Sequence, residues 1–474
     1  MTMEMRQAVQ TRRGFLDSCA AGIGTLGLAH LMRGEGLLAA TAGESLGQKP
    51  HFAPRAKNLI FLFMAGAPSQ MDLFDPKPGL QKWHGQPLPP SMTAELKLAF
   101  IKPTAKVLAS PREFSRCGQS GMEISDYLPN LQRMADDICL VRSMQTDQVN
   151  HHPGQSMLMS GSPLVGRPTI GAWLTYGLGS ESQDLPGFVV LSSGRGASGG
   201  SSNFSSGFLP STHAGVPFRK VGDPILYLSN PGGVSRDSQR LTLETLKRLN
   251  EENFQRTGDP QIASRMSNYE LAFRMQASAP ELIDLSGESQ ATKDSYGIDQ
   301  EPTSAYGTNC LMARRMVERG VRVVMLIHAS WDDHTNLDKG LKKNCDITDK
   351  PVAALIKDLK QRGLLDETLV VWGGEFGRTS LGQLKHVGDK VGRDHHPNGF
   401  SMWLAGGGIK GGQVIGSTDE LALRAEHDPV HVHDLQATVL HLMGLDHERL
   451  TYRHMGRDFR LTDVFGHVVG KMLA

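Results

Sequence analysis

Apolar runs of two kinds alternate along the chain. Asn58–Met64 (NLIFLFM), Ile138–Ser143, Val321–Ile327, Leu369–Trp372 and Phe400–Ala405 are short, continuous and rich in β-branched or aromatic residues, the pattern of strands buried on both faces. Between them lie segments with helical spacing: Tyr127–Asp136, Gln155–Ser160, Thr169–Gly177, residues 237–285, Thr303–Glu318, Lys350–Gln361 and His433–Leu442. Gly161, Gly320 and Gly363 serve as stops. This alternation predicts an α/β fold, a doubly wound, mostly parallel sheet with helices on both faces. Residues 80–120 read as irregular. Residues 186–240 are Gly/Ser/Pro-rich and read as a loop, either plain surface or a lid facing substrate. The expected organisation is one domain over residues 57–474, with a loop and helical insertion at about 186–300.

Chemistry gathers where the strands end. The Leu369–Trp372 run stops at Gly373-Gly374 and delivers Glu375, and Arg393-Asp394-His395-His396 comes just before the strand at Phe400. Asp332 and His334 follow the Val321–Ile327 run, His151-His152 follow Ile138–Ser143, and Ser69 and Asp72 follow the first strand. Ligands bind at the carboxyl edge of open α/β sheets, and carboxylates with imidazoles are ligands for Zn, Mn or Fe. Asp332, His334, Glu375, Asp394, His395 and His396 are therefore the expected ligands of one divalent metal, with Asp72 a weaker addition and His151 and His152 as ligands or acid/base groups. Each has a plainer role too: a strand-end Asp caps helices, and His151-His152 before Pro153 suits a helix start. His427, His431, His433 and His441 are left out, since His433-Asp434 read as the beginning of a helix. There is no GxSxG elbow, phosphate-binding P-loop or GxGxxG after a strand, and Gly406-Gly407-Gly408 reads as a turn.

The 474 residues carry 50 Lys+Arg against 49 Asp+Glu, a net charge of +1, so no broad basic field argues for nucleic acid. Arg12-Arg13 precede Gly14-Phe15-Leu16 and the small-residue, apolar stretch Cys19–Met32, and an A-x-A site follows at Ala40-Thr41-Ala42. This order predicts a twin-arginine signal peptide over residues 1–42, a polar tether over 43–56, the twin-arginine translocase as export partner and a periplasmic or extracellular location. No later run reaches the ~20 apolar residues of a membrane span. Four of the five cysteines, Cys117, Cys139, Cys310 and Cys345, lie beyond the leader. They permit disulfides of open pairing, and without a CxxC they do not indicate a thiolate metal site.

Several segments resemble one family. AGAPSQMDLFDPKP (65–78), HHPGQSMLMSG (151–161), WDDHTN (331–336), WGGEFGRT (372–379), GRDHHPNGFSMWLAGGGIKGG (392–412) and the stretch 433–464 are similar to the DUF1501 family, exported proteins placed in the alkaline phosphatase/sulfatase superfamily. The resemblance spans nearly the whole mature chain. It implies an alkaline phosphatase-like doubly wound sheet with one or two divalent metals. Laid on the sulfatase pattern, Glu375 stands near the late-strand ligands, Asp332 and His334 match an Asp/His pair, and His395 or His396 matches a later histidine. Asp72 stands in for a missing first-strand aspartate. The nucleophile segment resembles His151–Gly161, with His151 where sulfatases have Cys, so formylglycine cannot form there. Metal-activated water or Ser69 is then the expected nucleophile, with Glu375 or a histidine as base and Arg378 and Arg393 holding an anionic substrate. The expected function is an exported, metal-dependent hydrolase of phosphate or sulfate esters, acting on a small-molecule or glycan ester with Zn, Mn or Ca. The alternatives are a non-catalytic sulfatase-like protein that binds a cell-surface glycan or protein, and redox chemistry at an iron site.

Overall fold

The computed structural model describes residues 49–474 apart from 94, 95, 97, 195, 220–222, 227 and 384–389. The expected leader, Cys19 and the first part of the tether lie outside the described residues. A mixed, mostly parallel sheet runs through the molecule. From one edge to the other its strands are Gln413–Ile415, Ile138–Gln145, Phe400–Ala405, Thr368–Gly373, Asn58–Phe63, Val323–Ala329, Phe188–Gly194 and Val216–Pro217, with Val430–His431 added beside Ile138–Gln145. Pairing is parallel except that Phe400–Ala405 runs against both its neighbours.

Strand alternation sorts the sheet's side chains into two cores. Ile60 and Leu62 face one side, with Val324, Leu326 and Val370, under the helices Ser304–Glu318 and Leu337–Gln361. Leu59, Phe61 and Phe63 face the other, with Met325 and Val371, under the helices His151–Ser160, Ile170–Leu178 and Val432–Leu442. The result is the expected α/β arrangement with helices on both faces.

The antiparallel strand matters for the site. Its first residue, Phe400, lies at the edge where the parallel strands end, so the hairpin before it, Gly377–Gln383 paired with Gly392–His396, stands over that edge.

Several expectations need correction. Phe188–Gly194 is a core strand inside the segment read as a loop, because its apolar FVVL is short and flanked by Gly and Ser. The helical insertion proper is the pair Arg236–Thr257 and Pro260–Ile283, packed on each other, and the first of these has no buried residue. The helix expected at Lys350 begins at Leu337. Its polar first half hides an apolar face, Leu337, Leu341, Cys345, Val352 and Leu355, that runs past Pro351. Tyr127–Asp136 forms only a 3-10 segment, Leu131–Asp137. The described part of the tether is pinned down: Arg55 and Ala56 donate their backbone N–H to the Leu442 carbonyl, and His51 to Gly444. Cys117, Cys139, Cys310 and Cys345 are all free and buried. Among the described residues no helix is long and apolar enough to cross a membrane.

Candidate metal centre

Four side chains from three elements converge above the sheet edge. His151 opens the helix His151–Ser160, Asp332 and His334 sit on the loop after strand Val323–Ala329, and His395 lies in the second hairpin strand. One ligand atom from each lies within 4.8 Å of all the others. Asp332 Oδ1 is the hub: the Nε2 atoms of His334, His151 and His395 approach it at 2.9, 3.1 and 3.3 Å.

The far nitrogen of each ring is tied to an oxygen. His151 Nδ1 lies 2.7 Å from Glu375 Oε1, His334 Nδ1 2.5 Å from Gln383 Oε1, and His395 Nδ1 2.6 Å from the Val149 carbonyl. A carbonyl only accepts, so His395 Nδ1 must carry the proton. Burial lowers the His395 imidazole to about 4, against the raising effect of Asp332, so the ring is neutral at pH 7. Its Nε2 is then a bare lone pair facing a carboxylate oxygen, and two acceptors in contact repel. A cation between them turns this repulsion into two ligand bonds. Imidazoles held through Nδ1 with Nε2 free are the usual state of metal-ligating histidines. Without a cation the cluster must draw on protons instead. His151 is pushed up to about 9, because hydrogen bonds to Asp332 and Glu375 outweigh the lowering by burial. Burial would raise the Asp332 carboxyl, but the three histidines and the Arg378 charge hold it well below the usual carboxylate range.

The support behind these groups is dense. Glu375 is wholly buried and accepts from Gly66 N at 3.1 Å and from Gln155 Nε2 at 3.0 Å as well as from His151. Gly66 takes φ +111°, and a Cβ there would sit 2.7 Å from Asp332 N, so glycine alone lets the first strand's end pass so near the ligand loop. Phe376 stacks on His151, and Phe100, 61% exposed, meets His334 and His395 edge-on. The Asp332 side chain is 46% exposed and, with His151, walls a cavity of about 460 Å³. The cluster is thus enclosed on the protein side and accessible from the cavity. Asp333 lies in the same wall. Burial pushes its carboxyl up to about 7, against Arg378.

The DUF1501 family model, described as a protein of unknown function, matches residues 56–473. The chain belongs to the DUF1501 family. No curated protein matches it. Among solved structures, this DUF1501 chain is similar to the lipoteichoic acid synthase LtaP from Listeria monocytogenes, at 10% identity over 87% of this chain and 76% of that one, with a TM-score of 0.35. The PsFucS1 sulfatase from Pseudoalteromonas sp. aligns at 13% identity over 90% and 71%, with a TM-score of 0.34. A protein in the alkaline phosphatase superfamily from Vibrio parahaemolyticus aligns at 11% identity over 84% and 69%, with a TM-score of 0.35.

Of the residues expected at the centre of this DUF1501 chain, Asp332, His334, His395 and His151 come together, and the rest do not. Glu375 braces His151 from behind and does not line the cavity. Asp394 spends its carboxylate on the backbone N–H of Ala99, Phe100 and Ile101, at 2.7–3.1 Å, and of His395. His396, next along the strand, is fully buried, and burial pushes it down to about 4. His152, one residue on from His151, is exposed and outside the cluster. Asp72 is buried against Arg393, whose Nε lies 2.9 Å away, and Ser69 donates to Asp72. Ser69 and Arg393 are thus both buried and engaged with Asp72. Arg378 is equally occupied. Its guanidinium binds the carbonyls of Gly66, Ala67, Trp331 and Arg393 and reaches Asp332 Oδ1 at 2.7 Å. Gln155 and Gln383, which support the cluster, are not among the residues expected from the sequence. Gln155 had a signal, since it lies four residues after His151 on one helix face; Gln383 had none.

Proposed function

We propose that this protein is a metal-dependent hydrolase of phosphate or sulfate esters, with the metal held by Asp332, His334, His395 and His151. The observation that carries this reading is the convergence of three imidazole Nε2 atoms on Asp332 Oδ1, at 2.9, 3.1 and 3.3 Å, with each ring held through its other nitrogen. Three imidazoles and a carboxylate suit Zn or Mn; Ca, which takes oxygen ligands, fits this set poorly. A divalent cation supplies Lewis acidity toward a phosphoryl or sulfuryl oxygen.

The chain's own residues do the rest. Glu375, Gln383 and the Val149 carbonyl fix the three ring orientations. Arg378 ties the loops 66–67 and 331–332 to the hairpin and holds the Asp332 carboxylate in place. The cavity bounded by Asp332 and His151 gives an ester access to the exposed side of the cluster. With Ser69 bound to Asp72 and a histidine where sulfatases carry their cysteine, water activated at the metal is the nucleophile of this reading.

Arg12-Arg13 ahead of an apolar stretch support export through the twin-arginine translocase, a route for folded, cofactor-loaded proteins, to the periplasm or beyond. Replacing both with lysine should leave the protein in the cytoplasm on fractionation; unchanged export would remove that part.

His151 at the position where sulfatases carry their cysteine favours a second reading, a non-catalytic protein that binds a glycan or protein partner. Turnover decides between them. The hydrolase reading expects purified protein loaded with Zn or Mn to cleave 4-nitrophenyl phosphate or sulfate and to lose that activity on chelation. Loaded protein that cleaves no ester, or cleavage indifferent to chelation, would favour the second.

A further inference from the structure

The cavity beside the metal cluster does not end at the cluster. Its far wall is the first turns of helix Leu337–Gln361, with Lys339 and Lys343 one helical turn apart. The same two lysines wall a second cavity of about 540 Å³, which also takes in Lys342 and Lys390. The two cavities therefore meet at Lys339 and Lys343 and lead away from the cluster along a basic wall.

The charges there are unbalanced in one direction. All four lysines are exposed. Lys342 is paired with Asp346, and Asp338 is taken by Arg112 at 3.2 Å and by the Tyr127 hydroxyl at 2.8 Å. Asp332 is engaged by three histidines and Arg378, and the half-buried Asp333, in the same wall, makes no ion pair with Lys343. Lys339, Lys343 and Lys390 have no carboxylate partner within ion-pair distance among the described residues. Three uncompensated cations along one short groove form a local anion site in a molecule whose net charge is only +1. A nucleic acid would call for a longer basic stripe than this.

We propose that the substrate carries at least two anionic groups, as a multiply sulfated or phosphorylated oligosaccharide does: the scissile ester lies against Asp332 and His151, and a second anionic group is held between Lys339 and Lys343. This rests on the hydrolase reading above and adds the substrate class. Lys390 extends the same wall and receives the next anionic group along the chain.

The test is fluorescence anisotropy on the full, metal-loaded protein with labelled dextran sulfate oligomers, unsulfated dextran and a single-stranded oligonucleotide. Dextran sulfate should bind in a salt-sensitive way and unsulfated dextran should not. Lys339→Gln/Lys343→Gln should weaken dextran sulfate about tenfold, the sum of two ion pairs at a partly exposed site. Lys82→Gln/Lys357→Gln, two exposed lysines elsewhere, removes the same charge and should leave binding unchanged. Retained metal and an unchanged circular dichroism spectrum establish that the groove variant is folded, and Lys343→Gln alone supplies a milder replacement if it is not. Equal loss in both double variants, no loss in the groove variant, or tighter binding of the oligonucleotide would overturn the proposal while ester turnover, measured separately, still stood. Groove-dependent binding by a loaded protein that cleaves no ester would instead remove the hydrolase reading and leave a polyanion-binding site that is not a substrate subsite.

Discussion

At the scale of single residues, the segment Arg393-Asp394-His395-His396 shows how much a motif can and cannot say. Its composition marks the neighbourhood of the site, but the four side chains go four ways. His395 joins the cluster, Asp394 gathers the 99–101 backbone, Arg393 pairs with Asp72, and His396 enters the core. Spacing cannot sort them, because the hairpin carries a bulge between Arg393 and His395. Asp394→Ala should therefore cost stability, by about 2–4 kcal/mol for the loss of a charged acceptor from several buried donors, while the protein keeps its metal. A variant that folds with wild-type stability but loses metal would make Asp394 a ligand after all. Gly66→Ala puts a Cβ against the Asp332 backbone at positive φ. It should lower denaturation midpoints by the equivalent of about 1–3 kcal/mol and weaken metal binding; a variant as stable as wild type would show that the loop contact is not tight.

At the scale of elements, strand ends were legible and brace positions were not. The apolar runs located four of the strands that deliver the site, and Glu375 was found because it ends one of them. Its place behind His151 was not legible, because a burial of this depth depends on Gly66 and Gln155, which are distant in sequence. The same applies to Arg378, read as an anion binder. Its guanidinium is taken up by four backbone carbonyls from three segments and by the Asp332 carboxylate, a fit visible only once the hairpin folds over the edge. Gln383, on the other hairpin strand, holds the His334 ring. Gln383→Leu should weaken metal affinity by about 10–100-fold, as loss of an outer hydrogen-bond partner does, with the fold intact. Unchanged affinity in a metal-competition titration would show that His334 needs no such support.

At the scale of the whole molecule, the α/β class followed from alternating periods. Strand Phe188–Gly194 was read as loop because Gly- and Ser-rich flanks masked its short apolar run. Packing against that region also sets a pH dependence. His213 is buried beside helix Ile170–Leu178, and burial alone lowers its imidazole to about 4 from an ordinary 6.5. The folded state then binds fewer protons than the unfolded chain between these values. The resulting stability is complete above about 6.5 and is lost as pH falls toward 4, by up to about 3 kcal/mol. Denaturant midpoints should fall over this window, and His213→Phe should flatten the slope; an identical slope in the variant would assign the acid sensitivity elsewhere.

The central claim is that His151, Asp332, His334 and His395 bind a cation, and the most direct test is the metal content of the purified protein and of His395→Ala by inductively coupled plasma mass spectrometry after loading and desalting. Near-stoichiometric Zn or Mn is expected in the wild type, and its loss in a His395→Ala protein that remains folded. Wild-type protein that retains no metal, or a variant that retains as much, would contradict it.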